Sequence, residues 1–127
     1  MSEVRDDLKY TKDHEWVKVD GDTATIGITD YAQGELGDIV FFDISGEGDE
    51  YEAGDVMGSV EAVKAVSDIF SPVSGEVLEI NPELEDNPEI ANSEPYDGGW
   101  IAKIKLSNKP ELDELLSADD YKAEIGD

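Results

Sequence analysis

Cysteine is absent from the 127 residues, which excludes disulfides, thiolate metal ligands and a thiol nucleophile. Basic residues are scarce. Nine Lys and Arg stand against 33 Asp and Glu, for a formal charge of −24. That balance argues against nucleic-acid binding, where affinity rests on cations neutralising phosphates. An anionic membrane surface repels such a chain for the same reason. Long apolar runs are missing too: the longest is Ile39 to Phe42, far short of the ~20 residues of a membrane span. Met1 to Asp7 is acidic and polar, unlike a secretory or transit segment. The expectation is a soluble cytoplasmic protein with no nucleic-acid or membrane partner.

What is present suffices for a core. Hydrophobic residues make up 39% of the chain and there are 12 glycines, so one folded domain over residues 1–127 is expected. Residues 1–7 read as a flexible N-terminus and 108–125 as a helical C-terminal extension. The acids are spread along the chain rather than gathered in a tail, which predicts a folded, uniformly acidic surface. Such a surface repels itself in dilute buffer, whereas the Debye length shrinks to ~3 Å near 1 M salt. A high-salt, halophilic cytoplasm is the expected setting; an acidic adaptor whose charge is its function is the alternative.

The pattern is mostly β with short helices. Glu15–Val19 alternates, Asp20-Gly21 supplies a hairpin turn, and Thr23–Ile28 follows as a second strand. Thr29 or Asp30 caps a helical turn through Gln33, stopped by Gly34 and Gly37. Ile39–Ile44 reads as a strand buried on both faces, and 45–54 as a glycine-rich acidic loop. Residues 56–70 are ambiguous. Val60, Val63, Val66 and Ile69 recur every third residue, as on a helix face, yet the β-branched content and the bounds Gly54 and Pro72 favour strands. Residues 71–75 form a turn, 76–80 a strand, 81–99 a proline-rich excursion with one helical turn, and 100–106 a final strand. Pro110 suits a first helical turn, and Ser117 with Asp120 resembles a capping box.

Most candidate sites fail on inspection. His14, the single histidine, has no convincing triad around it and reads as packed or superficial. The loop from Asp43 begins like a calcium hand, but its twelfth position is Gly54 and its third Ser45. Glycines 46, 48 and 54 match neither a dinucleotide fingerprint nor a phosphate loop. With 33 acids, no one carboxylate pair stands out. Lys64 does stand out. It is the only basic residue in the 84 positions between Lys18 and Lys103. The alternatives are a chance surface lysine and a lysine presented for covalent attachment of a carrier group.

Several segments, in order, resemble the glycine cleavage system H-protein family. They are Lys9-Tyr10, His14–Val17, Ala24–Gln33, Leu36–Phe41, Gly58–Ala65, Ser71–Val77 and Asn92–Tyr96, continuing through Asp97–Trp100. The resemblance spans roughly residues 8 to 125. It implies a lipoyl/biotinyl-domain-like barrel-sandwich hybrid, with Lys64 bearing lipoate through an amide on a β-hairpin. It also implies a non-catalytic shuttle that carries the aminomethyl group of glycine. The implied partners are a pyridoxal-phosphate glycine decarboxylase, a tetrahydrofolate-dependent aminomethyltransferase, dihydrolipoamide dehydrogenase and lipoate-attaching enzymes. Glu15 and Asp68 match family positions near the docked arm. One departure is Asp13, where family members can hold a small hydroxyl residue. A biotin carrier would flank its lysine with methionines, whereas Val63 and Ala65 stand here. A lipoyl donor or relay for other lipoate-dependent enzymes, and a non-carrier acidic adaptor, are the remaining alternatives.

Overall fold

The computed structural model describes residues 3–44 and 47–126. Strands β1 (Lys9–Tyr10), β2 (Glu15–Asp20) and β3 (Thr23–Ile28) lead into helix α1 (Asp30–Leu36) and strand β4 (Ile39–Ile44). Strands β5 (Glu50–Tyr51), β6 (Val56–Ala62), β7 (Val66–Phe70) and β8 (Gly75–Ile80) follow. The helical turns α2 (Glu83–Asp86) and α3 (Ile90–Ser93) precede β9 (Ala102–Leu106), a 3-10 segment over Lys109–Glu114 and helix α4 (Ala118–Ile125). Two antiparallel sheets result, one ordered β1-β2-β3-β9-β8-β5 and one β4-β6-β7. The main core joins them. Val17, Ile26, Val77 and Ile104 of the larger sheet pack with Ile39, Phe42, Met57, Val60 and Ile69 of the smaller.

Strand β2 is buried on both faces at its start. Val17 enters that core, while Trp16 points the other way into a second cluster with Leu8, Tyr10, Tyr96, Ala118 and Tyr121. Trp16 Nε1 donates to the Pro95 carbonyl at 2.8 Å, so the indole is buried with its polar atom satisfied. Gly27, its cross-strand partner, must lack a side chain, because a Cβ there would stand 2.7 Å from the indole. Tyr10 and Tyr121 stack with ring centroids 4.6 Å apart, fastening α4 to β1.

Residues 56–70 form a β-hairpin, which resolves the helix-or-strand ambiguity. Five expectations need correction. Gly34 does not stop α1, which runs on to Gly37, because Ala32 and Leu36, one turn apart, both pack on the core. Strand β4 is not buried on both faces: Val40 and Phe41 are about half exposed, and Phe41 opens on a hollow shared with Ile80 and Leu84 rather than packing into a core. The 45–54 segment is not all loop, as Glu50 and Tyr51 pair with Glu76 and Gly75; Ser45 and Gly46 lie outside the described residues. The excursion holds two helical turns rather than one, and the last strand begins at Ala102 rather than Trp100.

The capping expectations hold. Thr29 Oγ1 accepts from the Ala32 amide, and Ser117 Oγ from the Asp120 amide, both at 3.2 Å. Near the start of the chain, Arg5 donates twice to the Asp97 carboxylate, at 3.0 and 2.9 Å, and lies over the Tyr96 ring.

Ion pairs engage few of the 33 acids. Among the described residues they join Arg5 to Glu3 and Asp97, Lys103 to Glu79, Lys109 to Asp22 and Lys122 to Asp6. All are partly exposed, so each contributes little. Carboxylate repulsion therefore goes largely uncompensated at low ionic strength. The denaturation midpoint should climb as KCl rises from dilute to molar; KCl is chosen because strongly salting-out salts would also strengthen apolar burial. A flat profile would show that the excess charge does not govern stability.

Candidate functional site

Lys64 sits at the tip of the β6–β7 hairpin. The Ala62 amide donates to the Ala65 carbonyl at 2.8 Å, closing a tight turn with Val63 and Lys64 at its corners. Both are exposed. Among the described residues no carboxylate lies within ion-pair distance of the Lys64 amine. Its stem does have a seat. A Cβ on Gly37 would fall 3.3 to 3.4 Å from Cγ, Cδ and Cε of Lys64, so the methylenes run over a surface that glycine leaves bare.

Next to Gly37 opens a cleft of about 120 Å³, lined in part by Asp13, His14, Glu15, Leu36 and Asp68. The structure thus brings Glu15 and Asp68 to one cleft, which Lys64 itself does not line; its wall includes Leu36, the residue before Gly37. A typical small-molecule pocket is several times larger, roughly 300 Å³ or more. Two roomier hollows, of about 830 and 420 Å³, are lined by none of the three predicted residues.

The two carboxyls differ in surroundings. Asp68 is exposed on β7, whereas Glu15 is buried on β2. Glu15 Oε2 accepts the Phe70 amide at 2.8 Å, and Oε1 accepts the Thr11 hydroxyl at 3.3 Å. Burial dominates these bonds and pushes the Glu15 carboxyl up to about 8, so it is largely protonated at neutral pH. Thr11 Oγ1 also accepts from the Asp13 and Glu15 amides. A hydroxyl thus reaches Glu15 from Thr11, while position 13, where family members can hold a small hydroxyl residue, is Asp13.

His14 fills a special place. Its φ of 65° is in the left-handed region, uncommon for a residue with a side chain. The ring compensates by packing 4.8 Å from the Tyr31 ring, with Nδ1 3.0 Å from the Tyr121 hydroxyl. Tyr121 in turn lies 2.7 Å from Thr29 Oγ1. Burial holds the imidazole below its ordinary range. The expectation of a packed rather than catalytic histidine fits this geometry. Sequence reasoning missed Thr11, whose hydroxyl organises the Glu15 turn. Its one signal was a Thr two residues before an Asp at a strand start, the spacing of a side-chain turn.

A family model described as Glycine cleavage H-protein matches residues 8–127. The chain belongs to the glycine cleavage H-protein family. A Staphylococcus carnosus protein described as a glycine cleavage system H protein is 58% identical over 124 residues, covering 98% of each chain. A protein of Carboxydothermus hydrogenoformans with the same description is 56% identical over 122 residues, covering 96% of this chain and 94% of its own. Among solved structures, a glycine cleavage system H protein from Mycobacterium marinum superposes with a TM-score of 0.89 at 35% identity. That match covers 97% of this chain and 99% of the other. The mostly β, lipoyl-domain-like fold expected from the family resemblance is therefore the fold of this H-protein relative.

The Glu15 carboxyl yields a pH prediction. Its folded value, about 8, lies above the ordinary glutamate value of 4.5, so the folded state binds the extra proton. The associated stability is fully present below pH 4.5 and is lost as pH rises toward and through 8. Between pH 5 and 9 the wild type should lose roughly 2–4 kcal/mol relative to Glu15→Gln. Urea midpoints of both proteins at the two pH values check this. Parallel pH profiles would mean that Glu15 is ionised in the folded protein throughout.

Proposed function

We propose that Lys64 bears a lipoyl group in amide linkage and that residues 1–127 act as one non-catalytic carrier domain of the glycine cleavage system. The observation that carries this reading is the exposed Lys64 amine at a hairpin tip, in a chain of the glycine cleavage H-protein family. The residues present fit the group. Among the described residues the amine has no ion-pair partner to compete for it, its stem has a seat on Gly37, and a narrow cleft opens at Leu36, the residue before that seat. When bound, lipoate supplies a disulfide that accepts the aminomethyl group of glycine and is left as a dithiol to be reoxidised.

The chain's own residues attach, orient and shelter. Asp68 offers an exposed carboxylate to a cationic amine at the cleft, while buried Glu15 offers a hydrogen-bonding carboxyl in a water-poor wall. Excluding water slows hydrolysis of a reactive cargo. The proposed partners are the decarboxylase that loads the arm, the folate-dependent aminomethyltransferase that unloads it, dihydrolipoamide dehydrogenase, and the enzymes that attach lipoate. The proposed setting is a cytoplasm of high salt. Among the described residues no helix is long and apolar enough to cross a membrane.

Two experiments test this reading. Intact and peptide mass spectrometry of natively expressed protein should place a lipoyl increment on Lys64 alone. Lys64→Arg should fold normally and carry none, since a guanidinium does not form the same acyl amide. A lipoyl increment on another lysine would sink the assignment. For the shelter, ammonia release from isolated aminomethyl-loaded protein at high salt should quicken in Asp68→Asn and Glu15→Gln. For Asp68 the loss is that of a charge-assisted hydrogen bond, ~1.5–3 kcal/mol, that is, roughly tenfold or more in rate; for the neutral Glu15 carboxyl it is smaller. Equal rates in all three proteins would remove the two carboxyls from that role.

A further inference from the structure

The hairpin tip is held from the side by a corner that lies far from it in sequence. Asn92, on α3, uses its whole carboxamide on the α1–β4 corner. Nδ2 donates to the Gly37 carbonyl at 2.8 Å and to Gln33 Oε1 at 2.9 Å, and Oδ1 accepts the Ile39 amide at 2.9 Å. Gly37 and Ile39 flank Asp38, so one side chain grips the backbone on both sides of that residue. The Asp38 carbonyl then accepts the Val63 amide at 2.9 Å. Val63 is the neighbour of Lys64 in the turn.

Gly37 completes the device. Its φ of 80° and ψ of −155° lie in a region open essentially to glycine alone. That conformation turns the chain out of α1, and the missing Cβ leaves the bare surface on which the Lys64 methylenes rest. An amide acceptor for Val63 and a seat for the Lys64 stem thus come from adjacent residues, fixed by one asparagine.

We infer that Asn92 is a positioning residue for Lys64: through the Gly37–Ile39 corner it fixes the pose in which the hairpin offers its lysine to a lipoate-attaching enzyme. The inference rests on Lys64 being the attachment site and adds the element that presents it. A preset pose spares the enzyme the ordering of a loose tip on binding, which improves affinity rather than turnover. Asn92 touches neither the amine nor the cleft, so it acts only through the corner.

The test uses full-length unmodified protein, lipoate, ATP and a purified lipoate-attaching enzyme in 1 M KCl. Asn92→Ala and the isosteric Asn92→Asp are compared with wild type. Both variants should raise KM for the carrier roughly tenfold, the scale of about one net hydrogen bond, and leave kcat unchanged. Amide exchange at Val63 should quicken by a similar factor. Urea midpoints separate this from general loss of stability, which would not divide KM from kcat. Unchanged KM together with unchanged Val63 exchange in a folded variant would overturn the inference and leave Lys64 as the attachment site. Absence of label on Lys64 in the wild type would overturn both. If neither variant folds, exchange in the wild type decides: Val63 should be protected on the timescale of Ile39, and free exchange at Val63 would overturn the inference.

Discussion

A hydrogen bond from the Phe70 amide to the buried Glu15 carboxyl joins the two sheets at the base of the hairpin that bears Lys64. Glu15 belongs to β2 of the larger sheet and Phe70 to β7 of the smaller. Phe70 ends the second arm of the lysine hairpin, so this bond anchors the hairpin at its base. At its tip, the Asp38 carbonyl holds the Val63 amide. The lysine is thus carried on a hairpin fastened at both ends, and the side chain itself supplies the mobility. Burying a carboxyl is unfavourable unless it is bonded and neutral. Both conditions are met here by the Phe70 and Thr11 donors and by the upward shift to about 8.

The second aromatic cluster explains why the chain needs its C-terminal helix. The turn that carries Glu15 includes His14 at positive φ, a conformation that costs free energy and persists only when its surroundings over-determine it. Tyr121 provides part of that constraint. It meets His14 Nδ1 and Thr29 Oγ1, and its ring stacks on Tyr10. Thr29 is also the cap of α1, so one tyrosine at the end of the chain links the Glu15 turn to the helix whose far end seats Lys64. Distance in sequence conceals a short physical path between them.

Local chemistry made some elements legible and hid others. Asp20-Gly21 between alternating runs announced its hairpin because turn geometry depends on those two residues. Thr29 and Ser117 announced their helices because a cap is a local hydrogen bond. The three-residue period from Val60 to Ile69 misled because it runs across a turn: Val60 and Ile69 are buried, whereas Val63 at the corner and Val66 beyond it are exposed. The apolar run at Ile39–Phe42 suggested burial on both faces, yet an apolar side chain does not say whether a layer covers it. Lys64 was conspicuous through its isolation alone, but its place on a hairpin came from family resemblance. Asn92 was invisible as a site residue, since all three of its bonds reach residues 53 to 59 positions away.

The isolation of Lys64 also has a physical sense in so acidic a chain. In the proposed modification, amide formation at Lys64 would remove one positive charge, leaving the domain one unit more negative than −24. Had the fold relied on a Lys64 ion pair, acylation would strand the partner carboxylate and cost stability at the moment of modification. With no carboxylate in reach among the described residues, and with the stem held by contact with Gly37 rather than by charge, the same seat serves both states. The interactions that position this lysine act on its methylenes and on its neighbour's backbone, the two parts that acylation leaves unchanged.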